Sequence, residues 1–221
     1  MRTVIAGGHG QIALRLERLL AERGDRPAGI IRKPEQATDL ADAGAEPLLL
    51  DLESATVPEL AGLLEGADAV VFAAGAGPGS GAARKNTVDR DAAVLLADAA
   101  ELAGVRRYVI ISSMGADAAA HAADPVFETY LRAKGAADDA IRARTTLDWT
   151  VLRPGRLTDG PGTGLVRLAP SVPHGAVDRA DVAAVLAALL HEPGTAGQTL
   201  ELVAGNATVE EAVAAAAGHD G

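Results

Sequence analysis

Short apolar runs alternate with stretches of helical period along most of this chain, and that alternation admits few folds. "TVIAGG", "AGIIRKP", "EPLLLDL", "ADAVVFAAG", "RRYVIISS" and "LDWTVLRPG" read as strands. Between the first two, Ile12, Leu16, Leu19 and Leu20 recur at helical spacing up to Gly24, which suits a helix end. Similar helical stretches separate the later strands. Strands that are apolar at nearly every position need cover on both faces, and a helix between successive strands imposes a parallel order. The expected fold is therefore α/β: a Rossmann-like, doubly wound parallel sheet.

From Gly155 onward the character changes. "GRLTDGPGTGLVRLAPSVPHG" is rich in glycine and proline, "DRADVAAVLAALLHE" is a clear helix, and "TLELVAG" and "TVEEAVAAAA" read as a strand and a short helix. This stretch is too small to fold alone. The expectation is one domain over residues 1–221, with 155–221 forming a small substrate-side excursion on the carboxyl edge of the sheet.

Charge and composition exclude several functions. A net charge of -10 with no basic stripe argues against nucleic-acid binding. No stretch approaches the roughly eighteen apolar letters of a membrane span, and "MRTVIAGG" lacks the apolar middle of a signal peptide. A cytoplasmic protein without a membrane partner is expected. The absence of cysteine excludes disulfides, thiolate metal sites and thiol nucleophiles. The five histidines show no ligand spacing, so no metal site is expected.

The first strand runs into "GGHGQIALRL", and glycine costs roughly 0.5–1 kcal/mol relative to alanine inside regular structure. Three glycines in four positions imply a backbone with a task. Two overlapping registers fit: Gly8-x-Gly10-x-x-Ala13 and Gly7-x-x-Gly10-x-x-Ala13. Both need a glycine for the tight strand-to-helix turn, Gly10 for approach of a pyrophosphate, and a small residue at 13 for close helix packing. Free N–H groups of Gly10, Gln11 and Ile12 at the helix start would face the anion. His9 belongs to the same loop, its imidazole expected to be exposed.

At the end of the second strand, a chain that prefers NAD usually carries Asp or Glu for the ribose hydroxyls. This one carries Arg32 and Lys33. A guanidinium grips a 2′-phosphate through paired, charge-assisted hydrogen bonds. NADP is therefore the expected cofactor, with NAD the alternative. Asp51 and Leu52, ending the third strand, are placed either to meet the adenine edge or, for Asp51, to cap a helix.

Tyr130 and Lys134 lie four apart in "YLRAK", in a helix that Asp124 and Pro125 start well as cap and first residue. Four apart means one face. The stripe Phe127, Tyr130, Lys134, Ala137, Ile141 is otherwise apolar, a poor place for an ordinary surface lysine. A phenol titrates at about 10 and becomes a useful acid or base only beside a cation such as the Lys134 ammonium. Ser113, at the carboxyl end of the fifth strand, is placed to stabilise charge on the same substrate oxygen. Ser112 points to the opposite side if the strand persists.

Together these residues resemble the short-chain dehydrogenase/reductase superfamily, in its atypical, NmrA-like or epimerase-like NAD(P)-binding branch. The likeness spans nearly the whole chain. It rests on the Gly7-x-x-Gly10-x-x-Ala13 loop, Arg32, Asp51-Leu52, Ala73-Ala74-Gly75 after the fourth strand, Ser113, Tyr130-x-x-x-Lys134 and Arg153-Pro154-Gly155. The resemblance implies that the glycine loop carries pyrophosphate, Asp51 and Leu52 flank adenine, Ala73 to Gly75 lies over ribose, and Pro154-Gly155 backs the nicotinamide. Where extended members carry an asparagine after the fourth strand, "NTVDRDAA" offers Asp89, or Asn86 in another register. The region after Gly155 is short for enclosing a nucleotide sugar.

Two functions follow. One is an NADP-dependent oxidoreductase in which Ser113, Tyr130 and Lys134 act on a small carbonyl or quinone-like molecule. The other is a non-catalytic NADP-binding sensor whose mobile "GAGPGSG" and "DGPGTG" loops answer to cofactor state. The oligomeric state, monomer or homodimer, stays open.

Overall fold

The computed structural model describes residues 1–75, 77 and 85–218. β1 (Arg2–Ala6), β2 (Arg26–Ile31), β3 (Glu46–Leu49), β4 (Ala69–Phe72), β5 (Arg107–Ile111) and β6 (Asp148–Pro154) fall on the expected runs. Between them lie α1 (Gln11–Glu22), α2 (Ala37–Asp42), α3 (Val57–Leu63), α4 (Ala92–Ala103) and α5 (Pro125–Arg142), with a π-helical segment, Lys85–Asp91, leading into α4. The rest of the chain adds β7 (Arg156–Thr158), β8 (Leu165–Ala169), β9 (Ala176–Asp178), α6 (Arg179–Leu190), β10 (Gln198–Ala204), β11 (Ala207–Thr208) and α7 (Val209–Ala217). Among the described residues no helix is long and apolar enough to cross a membrane.

Nine strands form one sheet in the order β11-β8-β10-β6-β5-β4-β1-β2-β3. All neighbours from β3 to β10 run parallel, and β8 lies antiparallel to β10 and β11. This is the Rossmann-like α/β fold that the strand and helix order implies. After β1 the chain fills one side of the sheet with β2 and β3, then crosses to the other side with β4. Between β1 and β4 the strand order reverses, and a crevice opens beyond their carboxyl ends at such a point. Ala6 pairs with Phe72 there, so residues from Gly7 and from Ala73 leave the sheet side by side.

The two-faced burial read from the sequence shows residue by residue. Ile5, Val71, Val109 and Leu152 enter one core with Leu16 and Leu20 of α1. Their strand neighbours Val4, Val70, Phe72, Tyr108 and Ile110 enter the other, with Leu60 of α3 and Leu96 of α4. Successive side chains alternate between faces, as pleating requires, and every face is apolar because both are covered. Burying each such side chain is worth about 1.5–3 kcal/mol. Tyr108 reaches furthest, its hydroxyl satisfied by the Ala93 carbonyl at 2.9 Å.

Residues after Gly155 do more than the expected excursion. β10 extends the parallel sheet beside β6, and β8 and β11 continue it. Val182 and Leu186 of α6 share a core with Ile5 and Leu16, so this region closes one face of the sheet. Only the small β7–β9 pair and its loops form an excursion at the carboxyl edge. The alternating pattern of "LVRLA" in β8, buried at Val166 and Leu168 only, marks a strand near the edge.

Several polar side chains are buried too, and one of them lacks a partner for its whole carboxyl group. Glu17 of α1 is fully buried, and neither of its carboxyl oxygens has a hydrogen-bond partner among the described residues. Its carboxyl sits beside the two glycines Gly8 and Gly29, where a Cβ on either would approach Oε1 to 3.1 and 2.4 Å. Burial pushes its pKa from 4.5 up to about 8. Between those values the folded chain keeps a proton that the unfolded chain releases. Its stabilising share is therefore complete below pH 4.5 and is lost as pH rises through about 8. Unfolding free energy should fall by up to roughly 1.4 kcal/mol per pH unit across that window. Glu17→Gln should flatten this slope in urea titrations at successive pH values, and an unchanged slope would show that Glu17 is not its source.

Candidate active site

The glycine turn is built from two close backbone approaches. Gly7 has φ +85°, in the left-handed region, and a Cβ there would lie 2.6 Å from the Cα of Ala74. Gly8 touches β2: its Cβ would lie 2.6 Å from the Cα of Gly29, and its N–H bonds the Ile30 carbonyl at 2.9 Å. Gly10 is the N-cap of α1, with no side-chain hydrogen bond and no acidic residue in the first turn. A Cβ on Gly10 would come within 3.1 Å of the Gly7 carbonyl oxygen. The first-turn N–H groups are thus left without a side-chain cap, which is what a bound phosphate requires.

A cavity of about 320 Å³ lies beyond this turn, lined by Gly7, His9, Gly10, Arg32, Asp51, Leu52 and Ala73–Gly75 among others. Ile30, Ile31 and Leu50 supply apolar wall. Arg32 faces Glu53 at 3.7 Å. His9 reaches Asp39 at 2.6 Å and stays about one-third exposed. Asp51 is not a helix cap: its carboxylate accepts from the Glu53 N–H at 3.1 Å, and Thr56 caps α3. That leaves Asp51 on the cavity wall.

Several expected cofactor residues stand elsewhere. Gly8 is buried against Gly29 and does not line the cavity beyond the turn. Lys33 turns outward to Glu35 at 3.8 Å. Gln11 is exposed, and its carbonyl accepts from Arg15. Ile12 lines a second cavity instead of the first. Pro154 and Gly155 line neither, since Pro154 is the last residue of β6 and Gly155 bonds back to Leu202 of β10.

The second cavity, about 480 Å³, shares the Ala73–Gly75 wall with the first. Tyr130 and Lys134 of α5 line it with Ser112, Asp89 and the apolar side chains of Ile12, Ile111, Val126, Phe127 and Leu157. α5 starts as expected, with the Asp124 carboxylate accepting from the Val126 N–H at 2.8 Å. Of the apolar stripe, Lys134, Ala137 and Ile141 are buried, while Tyr130 is half-buried and Phe127 is 48 % exposed. The Phe127 and Tyr130 rings stack with centroids 6.1 Å apart.

Lys134 is held from three sides. Its ammonium donates to the Ile111 carbonyl at 3.0 Å, meets the Asp89 carboxylate at 3.4 Å, and lies 5.5 Å from the Phe72 ring centroid. Both ion-pair partners are 95 % or more buried, at 5 and 1 % exposure. Of the two alternatives in the Lys85–Asp91 segment, Asp89 is the one that meets the lysine; the Asn86 side chain lies outside the described residues.

The structure sets the two serines in different surroundings. β5 ends at Ile111, but the Ser112 and Met114 N–H groups still bond the Leu152 and Pro154 carbonyls of β6 at 2.7 and 2.9 Å. Ser112 lines the cavity, while the Ser113 hydroxyl turns to the Met114 carbonyl at 3.3 Å. Ser112 in turn donates to Asp138 at 2.8 Å, and the same carboxylate oxygen accepts from Nε and Nη2 of Arg153 at 2.9 and 2.7 Å. Burial raises the Asp138 pKa, and the Arg153 charge opposes that rise. The sequence reading missed Asp138, although it lies one helical turn beyond Lys134.

The "DGPGTG" loop is anchored by hydrogen bonds. Asp178 accepts from Gly160, Asp181 accepts from Thr163 and Gly164, and Arg179 pairs with Asp159 at 2.6 Å. The "GAGPGSG" loop falls almost wholly outside the described residues.

A glycine turn with a bare helix start, at the point where a doubly wound sheet reverses, defines a Rossmann-type dinucleotide-binding protein. The chain belongs to the NAD(P)H-binding family, which matches residues 7–193. It is 34% identical to an uncharacterised sugar epimerase, YhfK, of Bacillus subtilis, over 96% of this chain and 99% of that one. Its structure is similar to that of a Bacillus halodurans protein provisionally named an NAD-dependent epimerase/dehydratase, with TM-score 0.89 and 33% identity over 97% and 99% of the two chains. The oxidoreductase ylbE of Lactococcus lactis superposes with TM-score 0.86 at 26% identity, covering 100% of this chain and 99% of that one. The atypical short-chain dehydrogenase/reductase resemblance holds at the level of family and fold.

The buried pair makes a measurable demand. Removing one partner of a buried ion pair strands the other charge and costs about 3–5 kcal/mol. Asp89→Ala should lose stability on that scale in urea denaturation, and a loss below about 1 kcal/mol would mean that Lys134 finds another partner or water.

Proposed function

We propose that this chain is an NADP-dependent oxidoreductase of the atypical short-chain type, reducing a small carbonyl or quinone-like substrate. One observation carries the reading: the Ala73–Gly75 wall belongs to both cavities, joining the glycine turn to the Tyr130 and Lys134 face of α5. A ligand held at the turn and extending past that wall reaches the phenol. Gly7 and Gly10 keep the helix start open for a diphosphate, Asp51 and Leu52 border the adenosine end, and Arg32 suits a 2′-phosphate. When bound, the reduced nicotinamide supplies a hydride.

The chain's own residues manage the proton. Tyr130 donates its phenolic hydrogen to the substrate oxygen as the carbonyl carbon becomes saturated, and the phenolate left behind is favoured by the Lys134 cation. Asp89 fixes that cation in place and also tempers its charge. Ser112, in the role that the sequence assigned to Ser113, turns its hydroxyl hydrogen from Asp138 to the same oxygen and stabilises the developing charge. Ile12, Ile111, Val126, Phe127 and Leu157 offer an apolar wall suited to an aliphatic or ring carbonyl. The sensor reading drew on two glycine-rich loops; of these, residues 159–164 are anchored by hydrogen bonds and the other loop lies mostly outside the described residues.

A thermal-shift titration should show a larger rise in Tm with NADPH than with NADH, because a ligand that binds only the folded state stabilises it by mass action. Tyr130→Phe should keep the NADPH shift while lowering NADPH oxidation with a panel of small aldehydes and quinones by about 10²-fold or more. Undiminished oxidation in that variant would remove Tyr130 as the acid.

A further inference from the structure

Three charged or polar groups meet at the adenosine end of the first cavity in a way that the cofactor reading does not use. Glu53, in the turn after β3, faces Arg32 at 3.7 Å through one carboxylate oxygen. Its other oxygen accepts from the Thr87 hydroxyl at 3.1 Å. Thr87 belongs to the Lys85–Asp91 segment, and Arg32 and Glu53 both line the cavity. The Arg32 side chain is 46 % exposed and that of Glu53 is 30 %, so both reach the space that a ligand would enter. A carboxylate therefore stands where the guanidinium would otherwise meet an anion from solution.

We propose that Glu53 is a specificity-determining residue of the adenosine end: its carboxylate holds Arg32 in place of a 2′-phosphate and so weakens the preference for phosphorylated over unphosphorylated adenosine. The inference rests on the dinucleotide reading and deepens it. A 2′-phosphate carries close to two negative charges, and it reaches Arg32 only by displacing Glu53 or by lying beside it as a like charge. An unphosphorylated ribose meets no such repulsion, and a carboxylate accepts hydrogen bonds from its hydroxyls. Arg32 alone speaks for NADP; Arg32 with Glu53 sets a smaller margin between the two cofactors. The hydroxyl of Thr87 helps to hold the carboxylate in position but carries no charge of its own.

Calorimetric titration with 2′,5′-ADP and 5′-ADP tests this on the intact chain, independently of turnover. Glu53→Gln keeps the side-chain shape and the capacity to bond Thr87 while removing the charge. It should tighten 2′,5′-ADP by about fivefold at low salt and leave 5′-ADP within about twofold, the difference shrinking as salt is added. Thr87→Val should leave the ratio of the two affinities close to the parent value. Equal tightening of both nucleotides, no tightening of 2′,5′-ADP, or a Thr87→Val effect as large as that of Glu53→Gln would overturn the proposal. If both nucleotides bind the parent and the ratio does not move, Glu53 alone is refuted. If neither binds the parent or the variant, the dinucleotide reading fails and takes this inference with it.

Discussion

The site depends on how closely three backbones come together at the end of β1. Gly7 lies against Ala74 after β4, and Gly8 lies against Gly29 of β2, each at a distance that a Cβ would reduce to 2.6 Å. These contacts are possible only where no side chain intervenes, and they draw the start of α1 down onto the sheet. Gly10 then caps the helix without a side chain. An anion site of this kind would be a property of main-chain dipoles held at fixed positions, and so is compatible with an overall charge of -10. Over more than about 8 Å the negative field is largely screened at physiological salt, whereas amide groups in direct contact with a phosphate are not.

The same need for closeness explains the odd placement of Glu17. Glycine at 8 and 29 leaves space beside β2, and the Glu17 carboxyl fills it rather than a solvent molecule or an apolar group. Held there without a partner, the group stays protonated at neutral pH and behaves as a polar filler at some cost to stability. Lys134 shows the opposite solution. It is also far from water, but a carboxylate, a carbonyl and an aromatic face surround its ammonium group.

The alternation of strands with helices and the glycine turn were legible because they are local. Apolar runs, helix periods and three glycines each announce themselves within a dozen letters, and Tyr130 with Lys134 follows from one helical repeat. Asp138 was within reach of the same rule, lying four residues beyond Lys134 on the same face, but a carboxylate in a helix of mixed charge reads as surface until its partner Arg153 is placed against it. Strand alternation put Ser112 and Ser113 on opposite sides, but no local pattern records that the Ser112 side meets Asp138 and the cavity. The role of β8 and β10 was hidden for another reason. Their neighbours are strands distant in sequence, and no local pattern records that β10 comes to lie beside β6.

The short segment Lys85–Asp91 touches both ends of the crevice, and that gives the site a shared charge balance. At one end Thr87 bonds Glu53, which faces Arg32; at the other Asp89 holds Lys134. Arg32 and Lys134 are thus each met beforehand by a carboxylate. A π-helical stretch suits this task, because its extra residue per turn shifts side chains out of the regular helical register, and such stretches are common at functional sites. The consequence is a crevice whose cations do not attract anions indiscriminately. Under the dinucleotide reading, a ligand would gain from Arg32 or Lys134 by competing with Glu53 or Asp89, and recognition would rest first on the uncapped N–H groups at the start of α1 and only then on charge.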